Sequence, residues 1–196
     1  MSRLTLREMV LVAFFAALTV VGAWISFPLP FSPVPITLAN LFAVLSGAIL
    51  GKKRGTLSQL VYLLLGFAGV PVFAGFTSGP GIFAGATGGY LIGYVLAAFI
   101  AGVLVEYLPR RLPPVARLSV AFTAAAAAVY LPGIAWLSHV TGLSAPVALV
   151  KGFYPFLPGD ALKIIVAVVL CRSLMQVPRV WRSMAKEGIV RHAEME

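Results

Sequence analysis

The sequence predicts an all-α integral membrane protein with six transmembrane helices. Sixty per cent of its residues are hydrophobic, mean hydropathy is +0.99, and only 11% are charged. Long apolar runs alternate with short Gly-, Pro- and Arg/Lys-bearing breaks, and the basic residues fall at every second break. A helical span takes about 20 apolar residues, so these runs consume nearly the whole chain. Residues 1–178 are therefore expected to form a single six-helix transmembrane domain, followed by a polar C-terminal tail, 179–196. No length remains for a soluble catalytic module.

The first helix is expected over Met9–Phe27. Arg3 and Arg7 before an apolar run imitate a secretory signal, but the run exceeds a usual signal core and further spans follow. We read it as a retained helix. It ends at Pro28–Pro35, where four prolines in eight residues dictate a stiff, extended loop. Helix 2 is expected over Ile36–Leu50, stopping at Gly51-Lys52-Lys53-Arg54-Gly55, and helix 3 over Thr56–Phe67. Both are shorter than a full span, so their ends should border a vestibule.

Residues 66–89 carry eight glycines with Pro71 and Pro80. Irregular backbone is tolerated at membrane depth only where protein buries it or it lines a cavity. An external loop is the plainer alternative, but Val70, Val72, Phe73, Phe76, Ile82 and Phe83 run through the segment. Helix 4 follows over Thr87–Leu108, then a Pro-Arg-Arg turn, then helix 5 over Val115–Val140 with an alanine run that permits close packing. A loop, Thr141–Pro155, leads to helix 6 over Gly159–Leu174.

With six spans, the N-terminus, the 2–3 loop, the 4–5 loop and the tail share one side. That side holds nearly all the positive charge, leaving Lys151 and Lys163 opposite. The positive-inside rule places both termini in the cytoplasm of a multi-pass cell-membrane protein. This pattern also accounts for the net charge of +9 without nucleic acid; the basic groups meet membrane lipid instead. The Pro-rich loop, the Gly-rich segment and the start of helix 6 then meet on the outer side, as an outward-facing binding site would require.

Phe156-Leu157-Pro158-Gly159-Asp160-Ala161-Leu162-Lys163 is the most informative stretch. A charge at membrane depth costs about 2.5–3.5 kcal/mol on insertion scales, so it normally lines a cavity and has a partner. Asp160 falls in the first helical turn, where the dipole favours a carboxylate, and Lys163 lies on the same face. The pair is either a neutralised helix cap or a polar device aimed into a ligand pocket. Other motifs carry less. Gly47–Lys52 imitates a phosphate loop but is one residue short and lacks the Ser or Thr. His139 and His192 stand alone, so no metal site is expected, and the single Cys171 excludes an internal disulfide. Without a second acid or a nucleophile–base pair, an enzyme has little to work with.

Pro33-Val34-Pro35-Ile36-Thr37-Leu38, Gly51–Gly55, Gly69–Gly75, Thr87-Gly88-Gly89-Tyr90-Leu91-Ile92-Gly93 and Phe156–Lys163 together resemble, in order, the BioY family. These are the biotin-specific substrate-binding (S) components of energy-coupling factor (ECF) transporters. The likeness spans residues 11–174. The chain departs from it at Ala86, usually proline, and at Ala39, often glutamine.

The resemblance implies the S-component fold in a prokaryotic plasma membrane, with biotin captured on the outer side. It implies as partners a transmembrane coupling protein and two cytoplasmic ATPases; action without dedicated partners and homo-oligomer formation stay open. Biotin is the transported ligand, and no cofactor is implied. The residues suit it: Asp160 accepts a ureido N–H, and Lys163 donates to the ureido oxygen or offsets Asp160. Tyr90 lays its ring along the bicycle, and Asn40 adds a donor and acceptor. Gly85, Thr87 and Gly88 present backbone N–H groups or a hydroxyl, Phe31 belongs to a lid formed by Pro28–Pro35, and Lys151 faces the valerate. For Tyr90 and Phe31 ordinary packing is the plainer alternative. Ala13 and Ala17 in helix 1 form a small-xxx-small pair resembling the docking face for the coupling protein, with internal packing the alternative. An S component for another small vitamin is the nearest rival function. An intramembrane enzyme acting on a lipid-like substrate is the rival from another class.

Overall fold

A computed structural model describes residues 4–109 and 111–175. The expected polar tail, 179–196, lies outside the described residues. Helix α1 spans Leu6–Trp24 and opens with a capping box. The Thr5 hydroxyl accepts from the Glu8 N–H at 3.3 Å, and the Glu8 carboxylate accepts from the Thr5 N–H at 2.8 Å. Glu8 also pairs with Arg54 of the next helix, which fixes the two against each other.

The Pro-rich stretch is a β-hairpin, a correction to the unpaired, stiff and extended loop expected from its prolines. Strands β1 (Ser26–Leu29) and β2 (Ser32–Thr37) pair antiparallel, with Ser26 opposite Thr37 and Phe27 opposite Ile36. Both strands of a two-stranded ribbon are edges, so a proline can face outward without breaking a ladder bond. The hairpin takes residues from both neighbours: helix 1 stops at Trp24 rather than Phe27, and helix 2 starts at Ala39 rather than Ile36.

Helix α2, Ala39–Phe67, contains both short helices of the sequence reading. Its backbone breaks only at Gly51, whose φ of 77° and ψ of 169° are open to glycine. The chain reverses there, and Gly55 packs on Gly47. A polar clamp ties α1 to both arms of α2 (39–50 and 52–67). Fully buried Gln59 turns its Nε2 toward Thr19 Oγ1 and Ser46 Oγ, both at 3.1 Å, and Ser58 Oγ at 3.2 Å, its two protons shared among the three acceptors. Each hydroxyl gives its own proton to a backbone carbonyl, which leaves lone pairs facing the amide.

The Gly-rich segment is packed rather than solvated. It forms a 3-10 turn at Ala74–Phe76 and a short helix α3, Pro80–Ala84. Phe73 is 1% exposed and meets the rings of Tyr62 and Phe83 edge-on. Helix α4 (Gly88–Tyr107) then runs against both α2 and α5 (Pro114–Thr141). Against α5 the approach is close: a Cβ on Gly89 would lie 2.2 Å from the Pro132 carbonyl oxygen. Ala125 and Ala128, from the alanine run, are buried in the same bundle.

The expected loop 141–155 holds a further helix, α6 (Ala145–Gly152), and a 3-10 turn at Tyr154–Phe156. Helix α7, Leu157–Met175, begins two residues before Gly159. Pro158 fits its first turn because an N–H there has no intrahelical acceptor. Leu6–Trp24, Gly88–Tyr107, Pro114–Thr141 and Ala145–Leu174 are each long and apolar enough to cross a membrane. With the two arms of α2 they make the six-helix arrangement that the sequence predicts. The α2 reversal, the α4–α5 connection and the end of α7 share one, basic end. The hairpin, the Gly-rich segment and α6 share the other.

Gly89→Leu should destabilise the bundle by about 3 kcal/mol, at the upper end of overpacking costs. A detergent thermal melt followed by size exclusion reads this loss; an unchanged midpoint would show that α4 and α5 can part there.

Candidate functional site

Two neighbouring hollows occupy the end opposite the basic loops. The larger, about 180 Å³, is lined by Ala23 of α1, Val34, Pro35 and Thr37 of the hairpin, and Tyr62 of α2. Phe73, Ala74, Thr77 and Ile82 of the Gly-rich segment, with Thr87, Tyr90, Leu91 and Tyr94, complete it. One water needs roughly 10–15 Å³ by this measure, so the hollow admits a small organic guest. Its walls are apolar and aromatic with a few hydroxyls, and no charged side chain is among the described residues that line it. Convergence of the Pro-rich and Gly-rich stretches, expected from topology, is therefore observed in one cavity.

The second hollow, about 10 Å³, holds at most one water and lies where α2, α5 and α7 meet. Asn40, Asp160 and Lys163 border it, among Leu41, Val44, Phe122, Ala126, Ile164 and Ala167. Thr37 in the larger hollow and Asn40 in the smaller are three residues apart, which places the two side by side. Asp160 and Lys163 are buried, 6% and 9% exposed.

The carboxylate is well supplied with donors. Lys163 Nζ and Asn40 Nδ2 each reach Asp160 Oδ1 at 3.0 Å, and the Tyr130 hydroxyl donates to Oδ2. A carboxylate offers about four acceptor sites, so three of them are occupied by the chain itself. Because the carboxylate can only accept, the Asn40 amide must turn its NH2 toward it. Its Oδ1 is then left buried without a donor. An unpaired buried acceptor of this kind costs about 1–3 kcal/mol until something donates to it.

The remaining expected site residues divide. Tyr90 is buried and its ring lines the larger hollow, but its hydroxyl donates to the Gly152 carbonyl of α6 at 2.9 Å. Thr87 lines the hollow as well. Gly85 does not; its carbonyl accepts from Trp136 Nε1 at 3.1 Å and its N–H bonds the Ile82 carbonyl. Gly88 gives its N–H to the Gly85 carbonyl, and a Cβ there would sit 1.9 Å from the Phe83 carbonyl oxygen. These two glycines shape the turn into α4 rather than offer free donors. Phe31, at the hairpin tip, is 57% exposed and outside the lining; Val34 and Pro35 supply the hairpin's contribution. Lys151 is half-buried on α6 and borders neither hollow. Ala13 and Ala17 lie on the exposed side of α1, one turn apart.

Tyr130 and Tyr94 escaped the sequence reading. Tyr94 lines the larger hollow, with its hydroxyl 3.4 Å from Thr37 Oγ1. Tyr130 lines neither hollow but links a wall residue of the larger one to the acid: its ring meets Tyr90 edge-on at 6.2 Å while its hydroxyl bonds Asp160. A tyrosine inside an apolar span needs a partner for its hydroxyl, and that need was the available signal.

A bundle of apolar helices with a buried Asp–Lys pair beside an aromatic cavity defines a small-molecule binding protein. The chain belongs to the BioY family, whose family model matches residues 1–183. It is 39% identical over 173 residues to the biotin transporter BioY of Thermotoga maritima, covering 88% of this chain and 98% of that one. It is 42% identical over 168 residues to a probable biotin transporter BioY of Pyrococcus horikoshii, covering 86% and 96%. Among solved structures it is similar to an S-component for biotin from an ECF-type ABC transporter. That match has a TM-score of 0.80 and 28% identity, and covers 89% of this chain and 95% of the other.

Removing one member of a buried pair strands the other, typically at a cost of about 3–5 kcal/mol. Lys163→Met should lower detergent stability by that order, and adding Asp160→Asn should return most of the loss. Additive losses in the double variant would show that the two groups are not coupled.

Proposed function

We propose that this chain is the biotin-binding S component of an ECF uptake transporter in a prokaryotic plasma membrane. The observation that carries the reading is the buried Asp160–Lys163–Asn40 cluster, with the Asn40 Oδ1 acceptor unfilled, directly beside the larger cavity. The biotin bicycle suits the aromatic walls formed by Phe73, Tyr90 and Tyr94. Its ureido ring offers two N–H donors and one carbonyl, and the cluster offers complementary groups: Asn40 Oδ1 and Asp160 Oδ2 accept, and Lys163 donates. The valerate points outward, toward Lys151 of α6 or bulk water.

No step of covalent chemistry is assigned to these residues, and the family relatives bear transporter names. Energy for delivery comes from outside the chain, through a transmembrane coupling protein and two cytoplasmic ATPases. The exposed Ala13 and Ala17 of α1 let another helix approach closely and are the proposed docking face.

Purified protein in detergent should retain labelled biotin with sub-micromolar affinity; folded protein that retains none defeats the reading. Asp160→Ala should reduce retention at least 100-fold while the protein still inserts in the membrane. Unchanged affinity would remove Asp160 from the site. Ala13→Trp should leave retention intact but lower uptake in cells that hold the full transporter, whereas lost binding would make the alanine pair internal packing.

A further inference from the structure

We propose that the Tyr130 hydroxyl is an internal stand-in for a ligand donor, holding Asp160 Oδ2 in the empty site and giving it up when a guest N–H arrives. The inference rests on the biotin reading above and concerns regulation of the same site.

Position comes first. From the larger hollow, the wall residue Tyr90 meets Tyr130 edge-on, and Tyr130 meets Asp160 through its hydroxyl. A ligand N–H coming from the hollow toward Oδ2 therefore finds Tyr130 ahead of it. Oδ1 is the poorer target, since Lys163 and Asn40 already occupy it at 3.0 Å.

Chemistry comes second. A carboxylate buried in an apolar bundle must have donors whether or not a guest is present. The ammonium of Lys163 supplies charge at one oxygen only, so the second oxygen needs a neutral donor of its own. A phenol O–H and a ureido N–H are interchangeable in that role: each gives one proton and carries no charge. Asn40 is suited to ligand alone, since its unfilled Oδ1 has no such substitute.

Packing comes third. The Tyr130 ring lies 4.8 Å from that of Phe153 and 6.4 Å from that of Phe156, both in the segment joining α6 to α7. Just before that segment, Gly152 at the end of α6 accepts from the Tyr90 hydroxyl. Release of Asp160 by Tyr130 is thus tied to the α6 side of the cavity mouth, and exchange of donors and movement of that side go together.

The thermodynamic consequence has a definite sign. If the hydroxyl competes with the guest, deleting it weakens the empty protein and strengthens binding, because the guest no longer displaces a bond. Tyr130→Phe removes only the oxygen. It should lower the thermal midpoint of the empty protein, and biotin should bind about ten-fold more tightly, with a larger ligand-induced rise in midpoint than the parent shows. A merely structural role moves the first quantity without tightening binding. Affinity unchanged within two-fold, or weaker, overturns the inference. Should the variant not fold, 3-fluorotyrosine at position 130 in the otherwise unaltered protein decides. Its 19F signal should shift on saturation with biotin, and an unmoved signal in a protein that retains biotin overturns the stand-in role. If the parent itself retains no biotin, the functional reading fails and this inference falls with it.

Discussion

The constraint on which the structure turns is a carboxylate that must be kept among apolar helices. Desolvation makes such a group costly unless charge and hydrogen bonds meet it together. Three elements answer that demand at Asp160: Lys163 from one turn along α7, Asn40 from the start of α2, and Tyr130 from α5. Each partner comes from a different helix or turn, so satisfying the acid also fixes how α2, α5 and α7 stand relative to one another. The α5–α7 and α2–α7 interfaces gather around this cluster, while much of α7 outside it faces outward with exposed Leu162, Ile165 and Val169. Polar contacts near the cavity thus do a share of the packing that apolar contacts do elsewhere.

The remaining order follows from glycine and alanine. Without Cβ atoms at Gly89 and Gly93, α4 and α5 approach until backbone meets backbone. That closeness brings Tyr90 and Tyr130, one from each helix, into edge-to-face contact beside the cavity. Small residues deep in the bundle therefore determine where the large rings of the site stand.

Much of this was legible in the residues. Hydropathy and the distribution of Lys and Arg gave the spans and their arrangement, since those depend on transfer energies that act locally. The buried pair was legible because i, i+3 spacing puts Asp160 and Lys163 on one face by helix geometry alone. The hairpin was not: prolines report where helix cannot exist, and pairing of Ser26 with Thr37 depends on how α1 and α2 bring their ends together. Helix α6 was hidden by its length, too short for periodicity to stand out. Tyr130, thirty residues from Asp160, and Asn40, a hundred and twenty from it, meet the acid only through tertiary folding. Gly85 and Gly88 were read as ligand-facing because glycine permits close approach; the approach is real at Gly88, but it is to Phe83, and Gly85 is tied up by hydrogen bonds with Ile82 and Trp136.

The clamp at Gln59 has a mechanical corollary. It grips Thr19 on the inner side of α1, and the Glu8–Arg54 pair grips the opposite end. Tethered at two heights, α1 is coupled to the second arm of α2 near both of its ends. A force applied to its outer alanine-bearing face is passed to α2 as to the second rail of a ladder. Through Ser46 the same clamp also reaches the first arm, whose second residue, Asn40, is the amide beside the acid.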